Sequence, residues 1–160
     1  AVDPDSIHFL GHSNGGFMSL RMACEHADKI ASVQSLAGAM FLIAEDHEPT
    51  EPVHMLQVHG TEDKVIKYDG GIFRAGQYPS ARETVEMWAT FNNCKMVPKQ
   101  KGTIDLVTNV EGEDTTVLCY ENDESKKVSE LWTIHGGSHG PRFNHSYSPR
   151  IIDWLLSHRK

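Results

Sequence analysis

The chain has 160 residues, 39% of them hydrophobic, and carries a net charge of −7 from 15 basic and 22 acidic side chains. That length fits one domain with a core of its own. The acidic balance argues against nucleic acid, whose phosphates demand a basic face, and no stretch reaches the ~18 consecutive apolar residues that a membrane span needs. The first predicted element is a buried strand over 6–10, carrying Ile7, Phe9 and Leu10. Gly11-His12-Ser13-Asn14-Gly15 follows, a G-x-S-x-G pattern, and then a predicted helix from Asn14 to His26 with Phe17, Leu20, Met22 and Ala23 on its apolar side. A serine on a sharp strand-to-helix turn is forced outward, and its neighbours must be small because the backbone is strained there. The helix aims its first N–H groups at charge developing beside the hydroxyl. The chemistry this serves is nucleophilic attack on a carbonyl.

A second strand is predicted over 31–36, ended by Ala37-Gly38, and a polar loop over 45–52. A third strand over 53–58 closes on His59-Gly60, and residues 61–79, with Gly70, Gly71, Gly76 and Pro79, read as loop. A helix is expected over 80–92: Ser80 is a plausible N-cap, Glu83 occupies the capping-box position, and Val85, Trp88 and Ala89 form its inner face. Residues 105–110 and 115–120 alternate around Glu111-Gly112-Glu113-Asp114 and read as a hairpin. A strand over 128–134, a Gly/His loop over 135–145 and a closing helix over 149–158 complete the chain. This succession gives an α/β protein with a mostly parallel sheet, helices on its faces and one β-hairpin. In such sheets the reactive loops lie at the carboxyl ends of the strands.

Three loops that follow strands carry suitable residues: Ser13, Asp63 and His139. A serine hydroxyl needs a base to take its proton, a histidine does so near neutral pH, and a carboxylate fixes the tautomer and stabilises the imidazolium. The chain order Ser, Asp, His is that of α/β-hydrolases. Glu62 and Asp69 compete for the acid, but Asp63 lies deepest in its loop and is favoured; its plainer role is a turn residue or helix cap. His135 competes for the base and reads instead as packed beside its strand, while His139 is flanked by Gly137 and Gly140. His145 and His158 read as surface residues. Metal catalysis is disfavoured, because Gly136-Gly137 breaks any helix aligning His135 with His139 and no third ligand has zinc-like spacing. No cofactor is expected. The acidic run 111–114 reads as a solvated turn rather than a calcium loop. Oxyanion stabilisation needs two donors. One is the backbone N–H of Asn14; the other should come from a loop after a strand earlier than any in this sequence. Aromatic residues Phe41, Phe73, Tyr78, Phe143 and Tyr147 lie on loops near the expected site, and Phe41, Tyr147 and His12 are the candidate substrate contacts; simple packing is the plainer role for such aromatics.

At this point the residues resemble a known group. Ile7-His8-Phe9-Leu10-Gly11-His12-Ser13-Asn14-Gly15-Gly16-Phe17-Met18, Met22-Ala23-Cys24-Glu25 and Leu36-Ala37-Gly38 look like the nucleophile region of polyhydroxybutyrate-depolymerase-like esterases, a group that includes feruloyl and acetylxylan esterases. The run from His59 to Gly71 is similar to that family's acid loop, with Lys67 where proline is usual; Asn92-Asn93-Cys94 resembles its N-x-C, and Gly136-Gly137-Ser138-His139 its G-G-G-H. The family continues with a tryptophan after the histidine, where this chain has Gly140-Pro141-Arg142-Phe143. The resemblance implies a serine carboxylic-ester hydrolase with Ser13, Asp63 and His139 as triad. It also implies a Cys94–Cys119 disulfide, stabilising by roughly 3 kcal/mol on the chain-entropy model, and hence a secreted or periplasmic protein. Two buried thiols are the alternative, and Cys24 reads as a core residue. The opening Ala1-Val2-Asp3-Pro4, with neither Met nor a signal-like start, reads as the inside of a longer polypeptide, so residues 1–160 read as the C-terminal portion of a single α/β-hydrolase catalytic domain. Its first strand would then present an open apolar edge, and the expectation is a homodimer through that edge, strand swapping or poor stability. Two other functions fit the residues: an acyltransferase using the same triad, and an inactive remnant that only binds saccharide or polyester.

Overall fold

A computed structural model describes residues 1–42, 48–73 and 76–160. Part of the predicted loop 45–52 therefore lies outside the described residues. The elements in chain order are β1 (His8–His12), α1 (Asn14–Glu25), β2 (Ser32–Leu36), β3 (His54–Gly60), β4 (Gly71–Phe73), β5 (Gly76–Tyr78), α2 (Ala81–Phe91), β6 (Lys99–Ile104), β7 (Thr115–Glu121), β8 (Val128–Ile134) and α3 (Tyr147–Ser157). Six strands form one sheet in the order β1-β2-β3-β8-β7-β6. The run β1-β2-β3-β8 is parallel, and β7 and β6 add antiparallel to it. β2 and β3 are buried along their whole length, as expected for parallel strands covered on both faces.

Side chains alternate across the sheet with period two and feed two cores. On one face Val33, Met55, Leu131 and Tyr120 meet Leu20 and Ala23 of α1 and Val85, Trp88 and Ala89 of α2. On the other, Leu36, Leu56, Val58, Val117 and Trp132 meet Ile151, Trp154 and Leu155 of α3. α2 starts where its sequence says: Ser80 Oγ accepts from Glu83 N (3.1 Å) and Glu83 Oε2 accepts from Ser80 N (2.8 Å), a complete capping box. Among the described residues no helix is long and apolar enough to cross a membrane.

Three expectations are corrected. Residues 105–110 are not a strand: the partner of β7 is β6, just before them. Its sequence, Lys99-Gln100-Lys101-Gly102-Thr103-Ile104, lies at a solvent-facing edge and has no apolar alternation to betray it. Residues 105–110 instead wrap around the buried Asp114, whose carboxylate accepts from the N–H groups of Leu106 and Val107. The segment 61–79 is not all loop, since it holds the short β4–β5 hairpin. The cysteine pairing also fails, because Cys94 and Cys119 are both free and buried. Cys94 packs with Tyr120 in the core under α2. Cys119, next to Tyr120 on β7, points to the opposite face, where its register partner Glu130 accepts from the indoles of Trp132 and Trp154. The sheet itself separates the two sulfurs. Cys94 Sγ lies 3.7 Å from Lys127 O, and burial pushes its thiol up to about 11.

Candidate active site

Ser13 joins β1 to α1 with φ 57° and ψ −120°. Such a conformation costs a non-glycine residue about 1–3 kcal/mol and persists only where the surroundings over-determine it. They do so here. The Ser13 N–H donates to Leu36 O (2.8 Å), which ties the turn to the end of β2. A Cβ on Gly11 would lie 2.2 Å from Gly15 O, so the chain before and after the serine nearly touches. A Cβ on Gly16 would meet Ser35 Oγ at 2.7 Å and Gly38 Cα at 3.1 Å, while one on Gly15 would meet nothing within 4 Å. Close packing of the helix start on β2 therefore falls to Gly16 alone of the two.

Asp63 follows β3 with its side chain fully buried. Its Oδ1 accepts from the N–H groups of Val65 (2.8 Å) and Ile66 (2.9 Å), which turns Oδ2 toward the loop after β8. There His139 Nδ1 lies 2.8 Å from Asp63 Oδ2, and His139 Nε2 lies 2.9 Å from Ser13 Oγ. An ionised carboxylate only accepts, so Nδ1 carries the proton and Nε2 offers its lone pair to the serine hydroxyl. The acid and histidine loops are clasped by backbone: Thr61 N donates to Ile134 O (3.0 Å), Glu62 N to Gly137 O (2.9 Å), and Gly136 N to Thr61 Oγ1 (2.9 Å).

Burial alone would raise the Asp63 carboxyl, but hydrogen bonds from His59, His139, Val65 and Ile66 outweigh it and hold it down to about 2. A carboxyl lower in the fold than in the unfolded chain adds stability above its unfolded value of 3.8, and that stability is lost as pH falls through the folded value. The shift corresponds to on the order of 2 kcal/mol. The urea midpoint of the protein should therefore drop between pH 5 and pH 2 by more than that of Asp63→Asn. Equal drops would show that this carboxylate does not carry the acid sensitivity.

A cavity of about 250 Å³ lies beside the start of α1. Among the described residues it is lined by Asn14, Phe17, Phe41, Phe73, Gly76, Gln77 and Tyr78. Asn14, which opens α1 directly after Ser13, is part of this lining. Phe41 is 39% exposed and tilts against Phe17 at 5.4 Å; Phe17 meets Tyr78 edge-on at 6.0 Å. Of the five aromatics expected near the site, Phe41, Phe73 and Tyr78 line this cavity, and of the three candidate substrate contacts Phe41 does. His12 does not: it is exposed, its Nε2 lies 2.7 Å from the backbone oxygen of His139, and its ring packs on His139 at 4.8 Å. Tyr147 stacks on Phe143 at 3.5 Å in the core under α3, where burial pushes its hydroxyl up to about 12 against a hydrogen bond with Gln34. Glu62 and Asp69 are exposed, and so is His135, which is not packed in the core; its Nε2 lies 2.7 Å from Thr116 Oγ1. Among the described residues no three His, Cys, Asp or Glu side chains converge as a metal would require.

Sequence reading missed Gln77 as a cavity residue, and it placed Phe17 in the helix core. It also passed over Gln57 and His59, two polar residues on a fully buried strand. That combination was the available signal, since buried polar side chains need partners.

Comparison with known proteins agrees with this architecture. Residues 1–100 match the family described as phospholipase/carboxylesterase. The chain is 29% identical to a putative esterase, NocK, of Nocardia uniformis subsp. tsuyamanensis, over 94% of this chain and 47% of that protein. It is 32% identical to feruloyl esterase B of Piromyces equi over 86% of this chain and 25% of the relative, and 26% identical to feruloyl esterase D of Neurospora crassa over 88% and 42%. The chain thus spans less than half the length of each of these relatives. Its fold is that of an α/β-hydrolase, and by the match over residues 1–100 the chain belongs to the phospholipase/carboxylesterase family.

Proposed function

We propose that this member of the phospholipase/carboxylesterase family is a serine esterase that cleaves carboxylic esters through an acyl-enzyme on Ser13. The observation that carries the reading is the unbroken line Asp63 Oδ2, His139 Nδ1, His139 Nε2, Ser13 Oγ, with links of 2.8 and 2.9 Å. In the first half-reaction His139 takes the hydroxyl proton while Ser13 Oγ attacks the ester carbonyl. The tetrahedral oxyanion is met by the Asn14 N–H at the start of α1, where the helix dipole adds positive potential. His139 then gives its proton to the leaving alcohol. In the second half-reaction a water molecule attacks the acyl-enzyme with His139 again as base, and the acid departs as Ser13 regains its proton. Asp63 stays ionised throughout and stabilises the imidazolium.

The cavity supports an apolar, ring-bearing substituent on the ester. Phe17, Phe41, Phe73 and Tyr78 supply aromatic faces and edges, and Gln77 supplies a polar group beside them. Offset and edge-to-face ring contacts contribute about 0.5–1.5 kcal/mol beyond burial. Two of the relatives are named feruloyl esterases, and a feruloyl group is an aromatic acyl of this kind. The test uses two reagents. A fluorophosphonate should label the protein once, on the peptide containing Ser13, and methyl ferulate should be cleaved with a higher kcat/KM than methyl acetate. Labelling elsewhere overturns the nucleophile, and a preference for acetate overturns the aromatic acyl.

A further inference from the structure

β3 carries two polar side chains, Gln57 and His59, on the face that packs under α1 and α2, and both are fully buried. Their hydrogen bonds form a directed chain. Gln57 Nε2 donates to the carbonyl of Gly38 at 2.8 Å. That carbonyl can only accept, which settles the orientation of the Gln57 amide. The same nitrogen lies 3.1 Å from His59 Nδ1. A ring nitrogen facing an amide NH₂ must be the acceptor, so His59 Nδ1 is bare and Nε2 carries the hydrogen. Nε2–H donates to Ile66 O at 2.8 Å and also faces Asp63 Oδ2 at 3.3 Å. Ile66 is itself one of the two residues whose N–H groups hold Asp63 Oδ1.

Resting on the triad reading above, we propose that His59 is a positioning residue for the Ser13 site: Gln57 locks its Nε2–H tautomer, and that one N–H both clamps the acid loop through Ile66 and serves as a second donor facing Asp63 Oδ2. The physical argument is one of place and sign. An Asp63 carboxylate bonded only by His139 and two backbone N–H groups could swing with its loop, because those N–H groups belong to the loop itself. His59 belongs to β3, a central strand, and gives the loop a fixed external point. Its N–H dipole also opposes proton transfer to the carboxylate, so it limits how strongly Asp63 draws on His139. The groups facing the His59 ring are Gln57, Asp63, the Ile66 carbonyl and the edge of Tyr68, whose ring lies at 5.7 Å and whose hydroxyl is engaged with Thr133. The same chain reaches the nucleophile side, since Gly38 backs onto Gly16 and Phe17 of α1.

The wild-type protein tests the lock directly. Nitrogen-15 NMR of histidine-labelled protein, with the ring resonances assigned to individual residues, should show the His59 imidazole with its proton on Nε2 and Nδ1 bare. An Nδ1–H tautomer for His59 overturns the proposal without any variant. Kinetics test the consequence. His59→Leu removes the donor while filling the space; kcat should fall about tenfold or more with KM changed less than about threefold. The acidic limb of kcat/KM should move to higher pH, because a carboxylate with one donor fewer favours the protonated form of His139. His59→Gln returns an N–H near the same point and should restore most of kcat and the original limb. If both variants lose activity only in proportion to their folded fraction, with the limb unmoved, His59 is merely structural and the proposal falls. Ser13→Ala separates this from failure of the underlying reading. If Ser13→Ala stays active, the triad reading and the proposal fall together; if it is dead and His59→Leu is unimpaired, only the proposal falls.

Discussion

Ser13→Ala should lower ester hydrolysis by at least about 10⁴-fold in kcat, because removing the nucleophile of such a triad leaves only binding and oxyanion stabilisation. p-Nitrophenyl acetate is a suitable substrate, since its good leaving group exposes acylation. The substitution leaves the fold's other contacts in place. The Ser13 N–H still donates to Leu36 O, and the carbonyl of residue 13 still accepts from the N–H groups of Gly16 and Phe17. A far-UV spectrum like the wild type's and a loss of turnover would together assign the chemistry to one oxygen atom. The fall should appear in kcat and in kcat/KM alike, because the Ser13 bond to the carbonyl exists only along the reaction path. Retained hydrolysis in Ser13→Ala would remove the acyl-enzyme from the mechanism.

Gly60→Ala should lower kcat/KM by about 10²-fold although residue 60 bears no functional group, and lower stability by about 1–3 kcal/mol. Gly60 ends β3, three residues before Asp63, and a Cβ there would lie 2.2 Å from Gly137 O and 2.4 Å from Gly137 C. Both are backbone atoms of the His139 loop and have no rotamer to give. Gly137 cannot retreat freely either, because its N–H donates to Ile134 O at 3.1 Å and its carbonyl accepts from Glu62 N at 2.9 Å. Gly60 does not need its freedom of φ, since it is absent from the positive-φ residues among those described. The cost of a methyl group is therefore a tertiary clash that wedges the acid loop from the histidine loop. The 2.8 Å link between Asp63 and His139 spans that joint. Steady-state kinetics with urea denaturation check both numbers, and normal kinetics in this variant would mean that the clasp does not set the geometry of the site.

Much of the architecture was legible because it is written in local patterns. The capping box Ser80/Glu83, the glycines around Ser13 and the alternation of β7 each act over a few residues, and each appears where its pattern sits. Ser13, Asp63 and His139 were readable as candidates for a related reason. Each follows a strand of a parallel run, and such strands deliver their following loops to one edge of the sheet. β6 was hidden because an exposed edge strand needs no apolar face, and the β4–β5 hairpin because three-residue strands are too short to show a period.

The remaining decisions needed the folded chain. Whether Cys94 can reach Cys119 depends on which face of β7 each addresses, and the register turns Cys119 away with Glu130. Whether an aromatic residue lines the cavity or fills a core separates Phe41, which follows β2, from Tyr147, which opens α3, although both read from sequence as loop residues. The tautomer of His59 follows from the Gly38 carbonyl, 21 positions earlier in the chain and adjacent only through the sheet. Sequence by itself determined the α/β class, the strained serine turn and the chain order of the candidate residues Ser13, Asp63 and His139, because backbone geometry and side-chain chemistry act locally. Tertiary structure alone decided pairing, face, cavity and proton placement, because these depend on distances between segments that the order of residues does not encode.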